Sequence, residues 1–187
     1  MSSQFKDVAP LPAPEVMKTA RLTLRCPRVE DAQAMYEEYA GDPRVTRYLN
    51  FPTSKSAEET QTWLGGALQR WRSGEEFVWA ITLGLENRPL GSVGCRPRGC
   101  GVEIGYSLAA RLWNQGLVTE AARAVADWAI ACGPIFRVWA VCDCANAASA
   151  RVMEKTGMQR EGVLRRWTVF PNLSAEPRDC FVYSRTR

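Results

Sequence analysis

Leu112 to Ala131 reads LWNQGLVTEAARAVADWAIA, and the architecture of the chain can be built outward from it. Its first half, Trp113-Asn114-Gln115-Gly116-Leu117-Val118, has no regular period. From Thr119 onward, Ala121, Ala122, Val125, Trp128, Ala129 and Cys132 fall on one apolar stripe at helical spacing. Just upstream, Val102 to Leu108 (VEIGYSL) reads as a strand. A strand, a loop and the start of a helix bring several backbone N–H groups to one place. Together with the positive end of the helix dipole they make an anion site, usually for phosphate. Strand–turn–helix joints are common and most bind nothing, so this stretch alone favours a structural role.

On the N-terminal side, Pro10, Pro12 and Pro14 mark an extended arm over residues 1–18, expected to be loosely held. The single domain is expected over 19–187. Arg21-Leu22-Thr23-Leu24-Arg25 alternates with period two and predicts the first strand. Val29 to Tyr39 follows as a helix, broken at Asp42-Pro43. Tyr48 to Pro52 is an aromatic loop, for which core packing is the favoured reading and a substrate mouth the alternative. Ser56 and Glu59 make a capping box for the next helix, which Gly65-Gly66 weakens at its middle. Strands are then expected over 77–83, 89–95 and 102–108, with turns at Asn87-Arg88 and Arg98 to Gly101. This antiparallel meander, the central helix and a strand over 137–141 predict a mixed α/β sheet.

On the C-terminal side lies Asn146-Ala147-Ala148-Ser149, running on to Glu154-Lys155-Thr156-Gly157-Met158. Asn146 is a good N-cap, Ser149 stands at the third helical position, and Gly157 suits a C-cap. On physics alone this is a well-capped core helix.

Composition sets the remaining bounds. The chain has 187 residues, of which 46% are hydrophobic and 24% charged, an ordinary globular composition large enough for one sizeable core. A net charge of +4 is too weak to argue for nucleic acid. No apolar run approaches the ~20 residues of a membrane span, and the N-terminus lacks a signal-peptide core. Seven scattered cysteines are read as reduced core residues of a cytoplasmic protein. With no histidine, and with Cys142-Asp143-Cys144 wrongly spaced for a zinc knuckle, no metal site is expected. The missing histidine also leaves acid–base work to Glu, Asp, Tyr, Cys, Ser or water.

Trp113-Asn114-Gln115-Gly116-Leu117-Val118-Thr119-Glu120-Ala121, followed by Asn146-x-x-Ser149 and Glu154-Lys155-Thr156-Gly157-Met158, resembles the GNAT acetyltransferase superfamily. The closer likeness is to its ribosomal-protein N-terminal acetyltransferases, the RimJ/RimL type. Arg21 to Arg25, Glu103-Ile104-Gly105-Tyr106 and Arg178-Asp179 fit that pattern too. The resemblance implies a mixed, mostly antiparallel central sheet with a splayed central strand pair and flanking helices. It also implies acetyl-CoA as cosubstrate. The pyrophosphate would sit on backbone N–H groups of Asn114, Gln115, Gly116, Leu117, Val118 and Thr119. The pantetheine arm would lie along Ser107-Leu108, with Asn146 touching from the second helix. The family often has glycine where Asn114 stands and alanine or glycine where Val118 stands; a β-branched side chain crowds close backbone approach.

The resemblance further implies that Glu161 is the base and Ser149 the donor to the leaving thiolate, because Met153 occupies the neighbourhood where other members carry a tyrosine. Glu103 and Tyr106 are the reserve candidates. Backbone N–H groups of the strand beside the cofactor would stabilise the oxyanion. The acceptor would be a primary amine, either a protein N-terminal α-amine or a small molecule, in a cleft walled by Tyr48 to Pro52 and Phe170 to Arg178. The competing reading is a non-catalytic CoA- or metabolite-binding module of the same fold. A nucleic-acid or scaffold protein would need a basic face or a repeat. A homodimer is the commonest assembly for such a chain.

Overall fold

The computed structural model describes residues 11–84 and 86–187. Its strands are β1 (Val16–Lys18), β2 (Leu22–Arg25), β3 (Phe77–Leu83), β4 (Gly91–Arg98), β5 (Gly101–Leu108), β6 (Arg137–Asp143), β7 (Gln159–Thr168) and β8 (Arg178–Thr186). They form one sheet in the order β1-β2-β3-β4-β5-β6-β8-β7. Every neighbouring pair is antiparallel except β5 and β6, which run parallel. The sheet is therefore mixed and mostly antiparallel, as the sequence led one to expect. Among the described residues five α-helices accompany it: α1 (Ala32–Met35), α2 (Pro43–Thr46), α3 (Ala57–Ser73), α4 (Leu117–Ala131) and α5 (Ala147–Lys155).

Local chemistry explains most of these boundaries. Ser56 accepts from the Glu59 N–H at 3.4 Å and caps α3, while Glu59 Oε2 accepts from the Lys55 N–H at 2.8 Å. The helix then runs unbroken through Gly65-Gly66 to Gly74, whose left-handed φ of 76° closes it. The expected helix over 29–39 changes pitch along its length. Val29–Asp31 is a 3₁₀ turn, Ala32–Met35 is α, and Tyr36–Ala40 is a π turn. Asp42-Pro43 ends that run but starts α2, because the Asp42 carboxylate caps the Arg44 N–H at 2.9 Å with proline at the first helical position.

The core forms where α4 packs on β4 and β5. Its stripe of Ala121, Ala122, Val125, Ala126 and Ala129 is fully buried. Small residues along that stripe let the helix approach the sheet closely, and the larger volume comes from Trp79, Ile81, Val93, Val102 and Ile104. Trp79 meets Trp71 and Trp128 edge-on, with ring centroids 5.1 and 5.5 Å apart. A second cluster, Met35, Tyr39 and Leu64 among others, lies between the first helical run and α3.

The arm expected over 1–18 needs correcting where it is described; residues 1–10 lie outside the described residues. Residues 11–18 are extended but tied down. Leu11 is buried, and the Trp79 indole N–H donates to the Pro14 carbonyl at 2.8 Å. Val16–Lys18 then pairs with β2. A buried indole needs an acceptor, and this segment supplies it. No described helix is long and apolar enough to cross a membrane.

Candidate active site

The parallel pair β5 and β6 is joined only at Gly101 to Glu103 against Arg137 to Trp139. Beyond Glu103 the two strands part, while β5 stays paired to β4 over its whole length and β6 to β8. The polar backbone edge of Ile104 to Leu108 that faces β6 thus has no strand partner. A cavity of about 780 Å³ opens there. An extended, amide-bearing chain laid into this gap would find ladder partners on β5.

One end of the cleft is the loop before α4. Asn114 and Gly116 both take left-handed backbone, with φ of 61° and 76°. Asparagine tolerates that conformation better than most residues, so Asn114 in place of a glycine fits the turn. At Gly116 a Cβ would come no closer than 3.6 Å to any heavy atom, that of Arg21 Nη2, so glycine is required there by φ rather than by space. Gly116 is the N-cap of α4, and its carbonyl takes the Glu120 N–H at 3.0 Å. Among the described residues, no protein acceptor takes the backbone N–H groups from Asn114 to Thr119. A helix N-terminus with several free N–H groups at a cleft suits a diphosphate. Val118 lines the cleft and also packs against the core cluster.

The second wall is the start of α5. Asn146 caps it, accepting from the Ser149 N–H at 3.1 Å. The Ser149 hydroxyl lies 2.9 Å from the Tyr106 phenol, which also donates to the Ser149 carbonyl at 3.1 Å. Burial pushes the Tyr106 phenol up, against the pull of its Ser149 hydrogen bond, so it stays a neutral donor. Cys142 lines the same wall. Burial, with Cys180 close by, raises its thiol to about 12, which keeps it uncharged.

Towards the other end, Glu76, Arg96 and Glu103 line the cleft. Glu76 is fully engaged: its Oε2 accepts from Arg70 at 2.6 Å and its Oε1 from Arg96 at 2.8 Å. Glu103 faces Arg96 across the β4–β5 ladder, but its carboxylate has no hydrogen-bond partner among the described residues. Burial pushes this carboxyl up. Arg96 and Arg98 pull it down, Glu76 pushes it further up, and the outcome is upward.

Most of the residues implicated by the sequence meet here. Ser107, Leu108, Asn114, Gly116, Leu117, Val118, Thr119, Asn146 and Ser149 all line the one cleft. Gln115 and Glu161 do not. The Gln115 side chain turns back to the Arg111 carbonyl at 3.3 Å, and its own carbonyl accepts from Arg21 at 3.0 Å. Glu161 sits on β7 at a bulge between Arg160 and Gly162, away from the cleft. Its Oε1 accepts from Arg137 at 2.6 Å and from Ser184 at 2.5 Å. The hydrogen bonds from Arg137 and Ser184 hold its carboxyl down at about 2. A carboxylate so strongly held as an anion, and so placed, is a poor proton acceptor for chemistry beside Ser149. The aromatic loop also departs from its favoured reading. Tyr48, Leu49, Asn50 and Phe51 line the cleft mouth, with Phe51 6.0 Å from Trp63, and Trp167 and Phe170 stand on the rim.

Known proteins share this fold. An N-acetyltransferase of Bacillus subtilis described as uncharacterized, YoaA, is 28% identical over 172 residues, covering 90% of this chain and 95% of its own. The crystal structure of a GNAT-family acetyltransferase from Bacillus anthracis has a TM-score of 0.79 at 26% identity, over 91% of this chain and 98% of that one. A ribosomal L7/L12 alpha-N-protein acetyltransferase, RimL, solved in complex with coenzyme A, shares the fold with a TM-score of 0.80 at 21% identity, over 92% of this chain and 98% of that one. The model for the acetyltransferase (GNAT) domain matches residues 21–159, well over half of the sequence, and the chain belongs to the GNAT family of acetyl-CoA-dependent acetyltransferases.

Proposed function

We propose that the chain moves the acetyl group of acetyl-CoA to a primary amine, a peptide N-terminus or a small molecule, that enters past Tyr48, Phe51 and Trp63. The observation that carries this reading is convergence. Asn114 and Gly116 to Thr119 with their free N–H groups, the Ser149–Tyr106 pair and the unpartnered Glu103 all line one cleft along the splayed strands. Acetyl-CoA supplies an activated thioester. The residues of the chain then have three tasks.

The loop from Asn114 to Thr119 holds the diphosphate, and the open edge of β5 holds the amide-bearing arm. Glu103 takes the proton that the attacking amine must lose, directly or through one water. A carboxyl raised by burial is nearer in basicity to that task than an ion-paired one. Ser149 gives its hydroxyl proton to the departing sulfur, while the neutral Tyr106 phenol holds Ser149 through their 2.9 Å contact; solvent restores the Ser149 proton, and Glu103 releases to solvent the one it took from the amine. The Asn146 cap fixes the backbone of Ser149, so the hydroxyl is aimed before substrate arrives.

The test is release of free thiol from acetyl-CoA with a panel of peptide and small-molecule amines. Ser149→Ala should lower kcat by roughly 10²-fold or more and leave CoA affinity near that of the native protein. A native protein that binds CoA yet releases thiol with no amine would overturn the catalytic reading in favour of a binding module.

A further inference from the structure

The loop before α4 is left-handed at two of three successive residues, Asn114 and Gly116; these residue types permit that shape but do not select it over others, so an exposed loop needs contacts to keep it. What holds it is the β1–β2 turn, nearly a hundred residues away in sequence. The Arg21 guanidinium reaches across it, with Nη1 donating to the Gln115 carbonyl at 3.0 Å and Nε to Glu120 Oε2 at 2.7 Å. The second Glu120 oxygen accepts from the Arg21 N–H at 2.9 Å and from the Thr19 hydroxyl at 2.6 Å. Glu120 lies in the first turn of α4, so one carboxylate ties the hairpin to the helix and one guanidinium ties both to the loop.

The consequence for the cleft follows from the peptide bond. No peptide bond among the described residues is cis, so the Gln115 C=O and the Gly116 N–H point in opposite directions. Arg21 draws the carbonyl to its own side. The Gly116 N–H is thereby turned away from Arg21, on the residue that lines the cleft. Glu120 would otherwise place an uncompensated negative charge beside the anion site. Although its partial burial opposes ionisation, bonds from Thr19 and Arg21 outweigh this and keep it a paired carboxylate.

We propose that Arg21 and Glu120 are positioning residues: a clasp that presets the Asn114–Gly116 turn for the diphosphate of CoA without touching the reacting atoms. This rests on the reading of 114–119 as the diphosphate cradle. It differs from a simple attraction between Arg21 and phosphate, and the two ideas make opposite forecasts. Glu120→Gln keeps the Arg21 charge but loosens the clasp. A clasp forecasts weaker CoA binding, whereas simple attraction forecasts tighter binding. Arg21→Lys keeps the charge but loses the two-pronged geometry, since an ammonium is a point donor.

The experiment is calorimetric titration of the full chain and of Arg21→Lys, Arg21→Ala and Glu120→Gln, with CoA and with pantetheine, which lacks the diphosphate. If the loosened loop holds the binding shape about one-tenth of the time, the Kd for CoA rises about tenfold in all three variants. Pantetheine affinity stays constant, which also reports that the cleft is folded. CoA affinity that is unchanged in Arg21→Lys, or improved in Glu120→Gln, would overturn the clasp. Equal affinity of the native chain for CoA and pantetheine would instead overturn the cradle itself.

Discussion

Glu103→Gln is the change that most directly tests the chemistry assigned to the cleft. Glutamine keeps the size and planarity of the side chain, so the floor beside Gly105 and Arg96 is undisturbed, and only the proton-accepting capacity is lost. Arg96 cannot compensate, because Glu76 already holds it. A positioned general base contributes about 10²–10⁴-fold, which is about 3–5 kcal/mol of barrier. We expect kcat/KM at neutral pH to fall by that factor, with the Kd for CoA unchanged. The native pH profile adds a second signature. Burial raises the Glu103 carboxyl, so the native activity should rise with pH along a limb lying above the usual carboxylate range. That limb should vanish in the variant.

Stability should move the other way. A carboxyl raised in the folded state favours folding while it is protonated, and that contribution is lost as pH rises through the raised value. Above that raised value the ionised Glu103 is therefore a burden, and there Glu103→Gln should melt at or above the native temperature. A variant that is both inactive and unstable would indicate a packing defect. Native kcat/KM and an unaltered pH profile in Glu103→Gln would remove Glu103 as the base.

Glu161→Gln should leave turnover close to native, because that carboxylate is engaged with Arg137 and Ser184 outside the cleft; a large loss in the thiol-release assay would refute this. Its carboxyl is held at about 2, so its stabilising contribution is present above the unfolded value and lost as pH falls towards about 2. The pair is more than a third exposed, so acid titration of unfolding should show it as under about 1 kcal/mol at neutral pH. Asp31→Ala should be far more damaging to the fold. Its carboxylate receives Arg25 through two bonds of 2.7 Å and the Arg28 N–H through a third, with both side chains under a tenth exposed. Removing one partner leaves a buried charge, and urea unfolding should register a loss of about 3–5 kcal/mol. A loss below about 1 kcal/mol would mean that water reaches Arg25 in the variant.

What the sequence made legible was local. Asn146 and Ser149 stand three residues apart, so one hydrogen bond between them could be anticipated from spacing, and it is present at 3.1 Å. The α4 stripe and the period-two strands were readable for the same reason: 3.6 and 2 are properties of the backbone, and side chains report them directly. The N-terminal arm was misjudged because its anchor is a tryptophan 65 positions away. Prolines announce extension but not what the extended chain docks against. The splay of β5 from β6 has no residue signature at all, since nothing in a strand's own composition states how far its neighbour stays paired. It entered the sequence reading only through family resemblance.

Glu161 shows the limit most sharply. Along a strand the face a side chain takes alternates, and one inserted residue reverses it. The bulge at Arg160 and Gly162 is such an insertion, and it lies where no glycine–proline pair or turn signal marks it beyond Gly162. The charge that Glu161 meets comes from β6, and the hydroxyl from β8, so neither partner is near in sequence. Glu103, by contrast, owes its candidacy to what is missing around it. Its cross-strand neighbour Arg96 is held by Glu76, itself held by Arg70. A chain of ion pairs thus leaves one carboxylate over, at the last paired position before β5 and β6 part. Sequence can supply the four charged residues, but only the fold decides which of them is left without a partner, and that odd carboxylate is the one we propose takes the proton.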